Sequence, residues 1–237
     1  MSKPTNRSDE EMAMRALIVP ELRKRYPSAR IIHELPLRYS TNRIDLAAVT
    51  ESEIVSVEIK SSKDVMDRLE AQLRAFQPIS SRIIAALAPR WNEQLPHFKW
   101  EPHPGVSCSR PQYTETQEII RRISGVAIWT VDAAAAAITV TEVDYYRARK
   151  PWLAQMLDML HVAELIDIAD RHRVSVPKRP NHLTLVSELV DMLQGREVVA
   201  AVCRALRARD AFCDGTDDPI LIECPAPVPS PRQEAML

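Results

Sequence analysis

The chain has no surplus of positive charge: 31 lysines and arginines stand against 32 aspartates and glutamates, for a formal net charge of −1. A protein that grips nucleic acid tightly and indiscriminately is usually strongly basic, because phosphate neutralisation supplies much of the affinity. That class is disfavoured, whereas an enzyme with a local basic groove, or one recruited by a partner, is still allowed. No apolar run approaches the ~20 residues needed to span a membrane, and the opening MSKPTNRSDEE is too polar for a secretory signal. The four cysteines, Cys108, Cys203, Cys213 and Cys224, form no CxxC and no clustered framework. Reduced thiols in a cytoplasmic protein are the expectation. His97, His103 and Cys108 fall close together, but their spacing matches no standard zinc pattern.

What the chain does have is a core, with 46% hydrophobic residues, and a stretch from Ile31 to Phe76 that organises it. Three strand-like runs follow one another there, and each carries a carboxylate where a strand prefers something else. The first holds Glu34. The second, Arg43 to Val49, is apolar apart from Asp45. In the third, Ile54 to Ser61, Val55, Val57 and Ile59 alternate with Ser56, Glu58 and Lys60, so period two puts Glu58 and Lys60 on one face. A hairpin turn at Thr50-Glu51-Ser52-Glu53 would bring Asp45 to the same end of the sheet.

Two carboxylates converging beside a lysine suit a hard divalent cation, which takes oxygen ligands and keeps several waters. Such an ion lowers the pKa of bound water and neutralises phosphoryl charge, and Lys60 would orient that water or stabilise developing negative charge. This is the chemistry of phosphodiester hydrolysis. The plainer alternative is a half-exposed sheet strand with a polar face, although Asp45 within an apolar strand needs a partner or a metal.

The order Glu34, Asp45, Glu58-Ile59-Lys60 resembles the PD-(D/E)XK nuclease superfamily, with its restriction-endonuclease-like fold. RIDLAAV followed by VSVEIKSSKD, and then a helix carrying Gln72, is more closely similar to the MmcB-like DNA-repair group and its bacterial relatives. The resemblance covers roughly residues 10 to 145, and departs from the superfamily pattern in having Ile44, not proline, before Asp45. It implies a magnesium site (manganese substituting) at Asp45, Glu58 and Glu34. Lys60 and Gln72 would complete the catalytic set, with DNA as substrate in repair or in defence against foreign DNA. Some members take a further carboxylate from the first helix, which makes Glu10 and Glu11 rivals to Glu34. A nuclease fold retained only to bind DNA or a protein is the alternative.

Periodicity gives the order αβββαβ. Residues 8 to 26 read as a helix with a Ser8/Glu11 capping box, an apolar stripe of Met14, Leu17, Ile18, Leu22 and Tyr26, and a kink or break at Pro20. Lys63 to Pro78 reads as a helix with Val65, Leu69, Leu73 and Phe76 inward and Asp64, Arg68 and Gln72 on a neighbouring stripe. Arg82 to Pro89 is a buried strand, joined in parallel to the third through that helix.

Residues 90 to 117 read as a long ordered loop, whose Trp91, Trp100 and Tyr113 either stack on bases or pack on the core. A short helix over Gln117 to Ser124 and a hairpin follow. From Lys150 the pattern is helical, with helices over Trp152 to Arg171, Thr184 to Leu193 closed by Gly195, and Arg196 to Phe212. They suit a helix-turn-helix-like module whose Arg171, His172, Arg173, Lys178, Arg179, Arg204, Arg207 and Arg209 meet phosphates. They equally suit a cap on the sheet, or a surface for a homodimer or protein partner. The expected fold is thus α/β: a restriction-endonuclease-like domain with a mixed sheet over 1–149, an all-helical module over 150–213, and a disordered proline-rich tail over 214–237.

Overall fold

The computed structural model describes residues 8–38, 40–92, 98–103, 106–110, 114–123, 125–141 and 149–209, without the side chains of 98–110 and 141. Helix α1 (Asp9–Arg25) leads into β1 (Arg30–Pro36), β2 (Arg43–Val49) and β3 (Ile54–Lys60), and α2 (Leu69–Phe76) connects to β4 (Arg82–Leu87). A two-stranded ribbon, β5 (Phe98–His103) with β6 (Val106–Arg110), precedes α3 (Glu115–Arg122), β7 (Val126–Asp132) and β8 (Ala137–Thr141). Four helices close the described chain: α4 (Leu153–Asp158), α5 (Val162–His172), α6 (His182–Met192) and α7 (Gly195–Ala208).

The chain is α/β, with a mixed six-stranded sheet in the order β1-β2-β3-β4-β7-β8. The first three strands are antiparallel neighbours, β3, β4 and β7 run parallel, and β8 returns antiparallel. One face is covered by α1, whose Met14, Ile18, Val19 and Leu22 pack on Leu46, Val55, Val57, Ile84 and Trp129. The other is covered by α2 and the C-terminal helices: Leu157, Leu165, Leu189 and Val202 share one core with Ile32, Ile44, Leu73 and Ile83. The apolar faces of α4–α7 therefore share one core with this face of the sheet, as the cap alternative requires.

Several elements differ from expectation for identifiable reasons. α1 is assigned as one helix through Pro20, because the proline and Ala16, whose carbonyl it leaves unpaired, both face outward. α2 begins at Leu69, not Lys63, because Asp64 Oδ2 accepts from Ser61 N (2.6 Å) and Oγ (2.7 Å), holding residues 61–64 in a turn. Val65 is consequently 66% exposed and not in the core. The stretch over 90–117 contains the β5–β6 ribbon rather than only loop. His97 and Tyr113 lie outside the described residues, as do the side chains of Trp100, His103 and Cys108, and so does the tail.

The helix expected over Trp152 to Arg171 is two helices. The His161 N–H turns to Glu164 Oε2 (2.6 Å), starting α5, and the freed Leu160 carbonyl accepts from Arg38 Nη1 (2.7 Å). Gly195 opens α7 instead of closing α6, since the Gln194 N–H is capped by Glu197 Oε2 (2.8 Å). Three of the C-terminal arginines are engaged within the fold, while Arg173, Arg179 and Arg204 are exposed. Arg209 forks onto Glu164 (2.6 and 2.7 Å), Arg171 meets Asp167 (2.8 Å), and Arg207 Nη2 bonds the Ser28 carbonyl (3.2 Å).

Arg30 ties the helices to the sheet. It is 2% exposed, and its guanidinium donates to the carbonyls of Arg207 (2.5 Å) and Arg209 (2.7 Å) at the end of α7, where four carbonyls lack helical partners. Arg30→Met should therefore cost about 3 kcal/mol, the scale of a charge-assisted bond lost together with its buried acceptors. Urea unfolding of the two proteins measures it.

Candidate active site

The site lies where β2 parts from both of its neighbours. The β1–β2 ladder pairs His33 with Leu46 and Leu35 with Ile44, passing over Glu34 and Asp45, which stand opposite each other. The β2–β3 ladder stops at Leu46–Val57, one step short of the position where Asp45 would meet Glu58. Glu34, Asp45 and Glu58 therefore form a row across three adjacent strands. The two-residue alternation slips at the same place: Ile32 and Leu35 belong to one core layer, and so do Ile44 and Ala47. Glu34 adopts φ +54°, a left-handed conformation that costs a non-glycine residue of order 1–3 kcal/mol.

The freed backbone is used. Asp45 Oδ2 accepts from the Ile59 N–H at 2.7 Å, standing in for a ladder carbonyl and pinning Asp45 beside the peptide that follows Glu58. Every residue of β3 is buried, with Glu58 1% and Lys60 8% exposed. The strand is not the half-exposed polar edge of the plainer alternative. Lys60 Nζ lies 2.8 Å from Glu58 Oε1 and donates to Gln72 Oε1 at 2.9 Å. Glu58, Lys60 and Gln72 thus form a chain from β3 to α2.

Arg15 is the residue that sequence reasoning missed. It is fully buried on α1, and its Nη2 bonds Glu34 Oε1 at 2.7 Å. Its Nη1 donates to the Asp45 carbonyl at 2.8 Å and sits 3.2 Å from His33 Nδ1, while its Nε meets Glu11 Oε1 at 2.9 Å. Only half of the expected capping box is formed: Ser8 Oγ accepts from the Glu11 N–H, but the Glu11 carboxylate is turned to Arg15. Glu10 reaches across instead to Ser62, accepting from its N–H at 3.1 Å and from its Oγ. The only signal in the sequence was the Glu11–Arg15 spacing of four beside the apolar stripe, which an exposed helix pair would also give.

Burial raises the Glu58 carboxyl to about 8; the nearby Asp45 adds to this and Lys60 opposes it. Burial also raises Asp45, to about 6, against the pull of Arg15 and of the Ile59 N–H. Glu58 Oε2 is buried with no hydrogen-bond partner, and a carboxylate oxygen in that position needs a proton or a cation. The donors are hard oxygens, which fit a magnesium-like ion held by one or two carboxylates and otherwise by water. Among the described residues no three His, Cys, Asp or Glu side chains are grouped as a metal-ligand set, so the fit rests on Asp45 and Glu58.

Past the end of β3 the surface opens into a cleft of ≈ 810 Å³, lined by Ser62, Lys63, Arg90 and Trp91 among others. Lys63 is exposed there, and the Arg90 guanidinium stacks 4.3 Å from the Trp91 ring. Asp64, Asp67 and Glu115 line it as well, so its charge is mixed.

A family model described as bacteriophage P4 protein cII matches residues 4–98. That is less than half the chain, yet it takes in α1, β1 to β4 and α2, and so every residue of the site. No curated protein and no solved structure matches the chain. No helix among the described residues is long and apolar enough to cross a membrane.

The raised Glu58 sets a pH dependence of stability. Between about 4.5, its ordinary value, and about 8 the native protein keeps a proton that the unfolded chain has released. Stability therefore falls as pH rises through that window. Metal-free protein should show a lower urea midpoint above the window than within its acid half, and Glu58→Gln should shrink that difference.

Proposed function

We propose that this chain is a divalent-metal-dependent deoxyribonuclease of the PD-(D/E)XK type, with the restriction-endonuclease-like fold. The observation that carries the reading is the buried Glu58–Lys60–Gln72 chain with Asp45 pinned beside it at the splayed end of β2. Asp45 and Glu58 are the residues that would hold magnesium, with Glu34 the third carboxylate of the row. Bound there, the ion supplies an acidified water and neutralises phosphoryl charge.

The protein's own part is positional. Gln72 fixes the ammonium of Lys60, and Lys60 stands where it can orient the attacking water or meet negative charge on the phosphoryl oxygens. The DNA backbone would approach through the cleft beyond β3, past Lys63 and Arg90. The near-neutral charge suits a substrate held locally rather than by a broad basic surface.

One observation favours a second reading, a nuclease-type fold that binds DNA or a protein without cutting: Arg15 already supplies a cation to Glu34 and Asp45. Incubation with duplex, single-stranded and branched DNA in magnesium or manganese decides between them. On the nuclease reading wild type cleaves at least one of these. Asp45→Ala, Glu58→Ala and Lys60→Ala each lower the rate by at least about 100-fold while remaining folded, and Gln72→Ala lowers it about tenfold. DNA bound but left intact in both metals would establish the second reading.

A further inference from the structure

We infer that Arg15 is a built-in cation of the acidic row, so that the site takes a single divalent ion and Glu34 serves as the partner of Arg15 rather than as a metal ligand. The inference rests on the proposed metal site and assigns the residues around it.

Three observations lead there. First, each carboxylate of the row already has one oxygen committed to a neighbour. Glu34 Oε1 is bonded to Arg15 at 2.7 Å, and Arg15 also holds Glu11 and the Asp45 carbonyl. Glu58 Oε1 is with Lys60, and Asp45 Oδ2 is with the Ile59 N–H. On Asp45 and Glu58 this leaves one oxygen each. Glu58 Oε2 is buried without a hydrogen-bond partner, and Asp45 Oδ1 has Arg15 Nη2 only at 3.7 Å, beyond hydrogen-bonding range. Two oxygens from two carboxylates are a usual protein share of one magnesium-sized ion.

Second, the charges close on one ion. The groups that act on one another electrostatically here are Glu11, Glu34, Asp45 and Glu58 on one side and Arg15 and Lys60 on the other. With all of them ionised the cluster carries two negative charges in excess, which one divalent cation neutralises. A second would leave the buried cluster strongly positive, which burial penalises. Third, Arg15 is fully buried and fixed by contacts on β1, β2 and its own helix. A guanidinium so held is not displaced by a mobile competitor without unpairing Glu34.

Manganese binding followed by electron paramagnetic resonance and calorimetry tests this without reference to activity. Wild type should bind one Mn2+ per chain. Glu34→Gln should keep that stoichiometry with an affinity change of no more than about tenfold, whereas Asp45→Asn should abolish binding. Arg15→Gln, if folded, should admit a second Mn2+, and Arg15→Lys, which keeps the charge, should hold the count at one.

Two Mn2+ per wild-type chain, loss of binding in Glu34→Gln as complete as in Asp45→Asn, or a folded Arg15→Gln that still takes one ion with unchanged affinity would each overturn the inference. Absence of any Mn2+ binding to wild type is a different result. It removes the metal site itself, and the inference with it.

Discussion

Four carboxylates gathered at one corner of a sheet repel one another and lose hydration, so the fold must supply cations to keep them there. Arg15 and Lys60 do this from opposite sides. Arg15 comes from the helix on one face and holds Glu11, Glu34 and the backbone of Asp45. Lys60 lies on the central strand and holds Glu58, braced by Gln72. The neutralisation is incomplete: burial, with repulsion between the carboxylates added to it, pushes Glu58 and Asp45 toward their protonated forms, and one oxygen of Glu58 has no hydrogen-bond partner. A corner of a core left short of positive charge is a poor way to build stability and a good way to build a cation site.

The backbone is arranged to the same end. Regular pairing across β1, β2 and β3 would occupy the peptide groups near Asp45 with one another. Instead both ladders skip Asp45, Glu34 takes a left-handed conformation, and the Asp45 carboxylate accepts the N–H that β2 no longer reaches. Strain of this kind persists only where the surroundings over-determine it. The surroundings here are α1 on one face and the shared core of α2 and α4–α7 on the other.

Much of this was legible in the chain. The alternation of Val55, Val57 and Ile59 with Ser56, Glu58 and Lys60 gave the strand and its faces correctly. The misfit of Asp45 within Ile-x-Leu-Ala-Ala-Val marked the position where both ladders of β2 are interrupted. Gln72 pointed to the site even though its helix starts six residues late, because Ser61 and Asp64 close a side-chain turn that competes with helix. Other features could not be read. Arg15 flanks an apolar stripe and looks like any basic helix residue until Glu34 and Asp45 are placed opposite it. The break at His161 has neither glycine nor proline to announce it, being made by Glu164 on the far side. The ribbon over 98–110 was hidden by prolines that interrupt its alternation.

The central proposal is that Asp45 and Glu58 together hold a divalent cation. The most direct measurement is a calorimetric titration of magnesium into the metal-free protein, with Asp45→Asn alongside. The account predicts saturable binding to wild type that disappears in the variant. No binding up to millimolar magnesium, with uncleavable DNA present as well as without it, would contradict it.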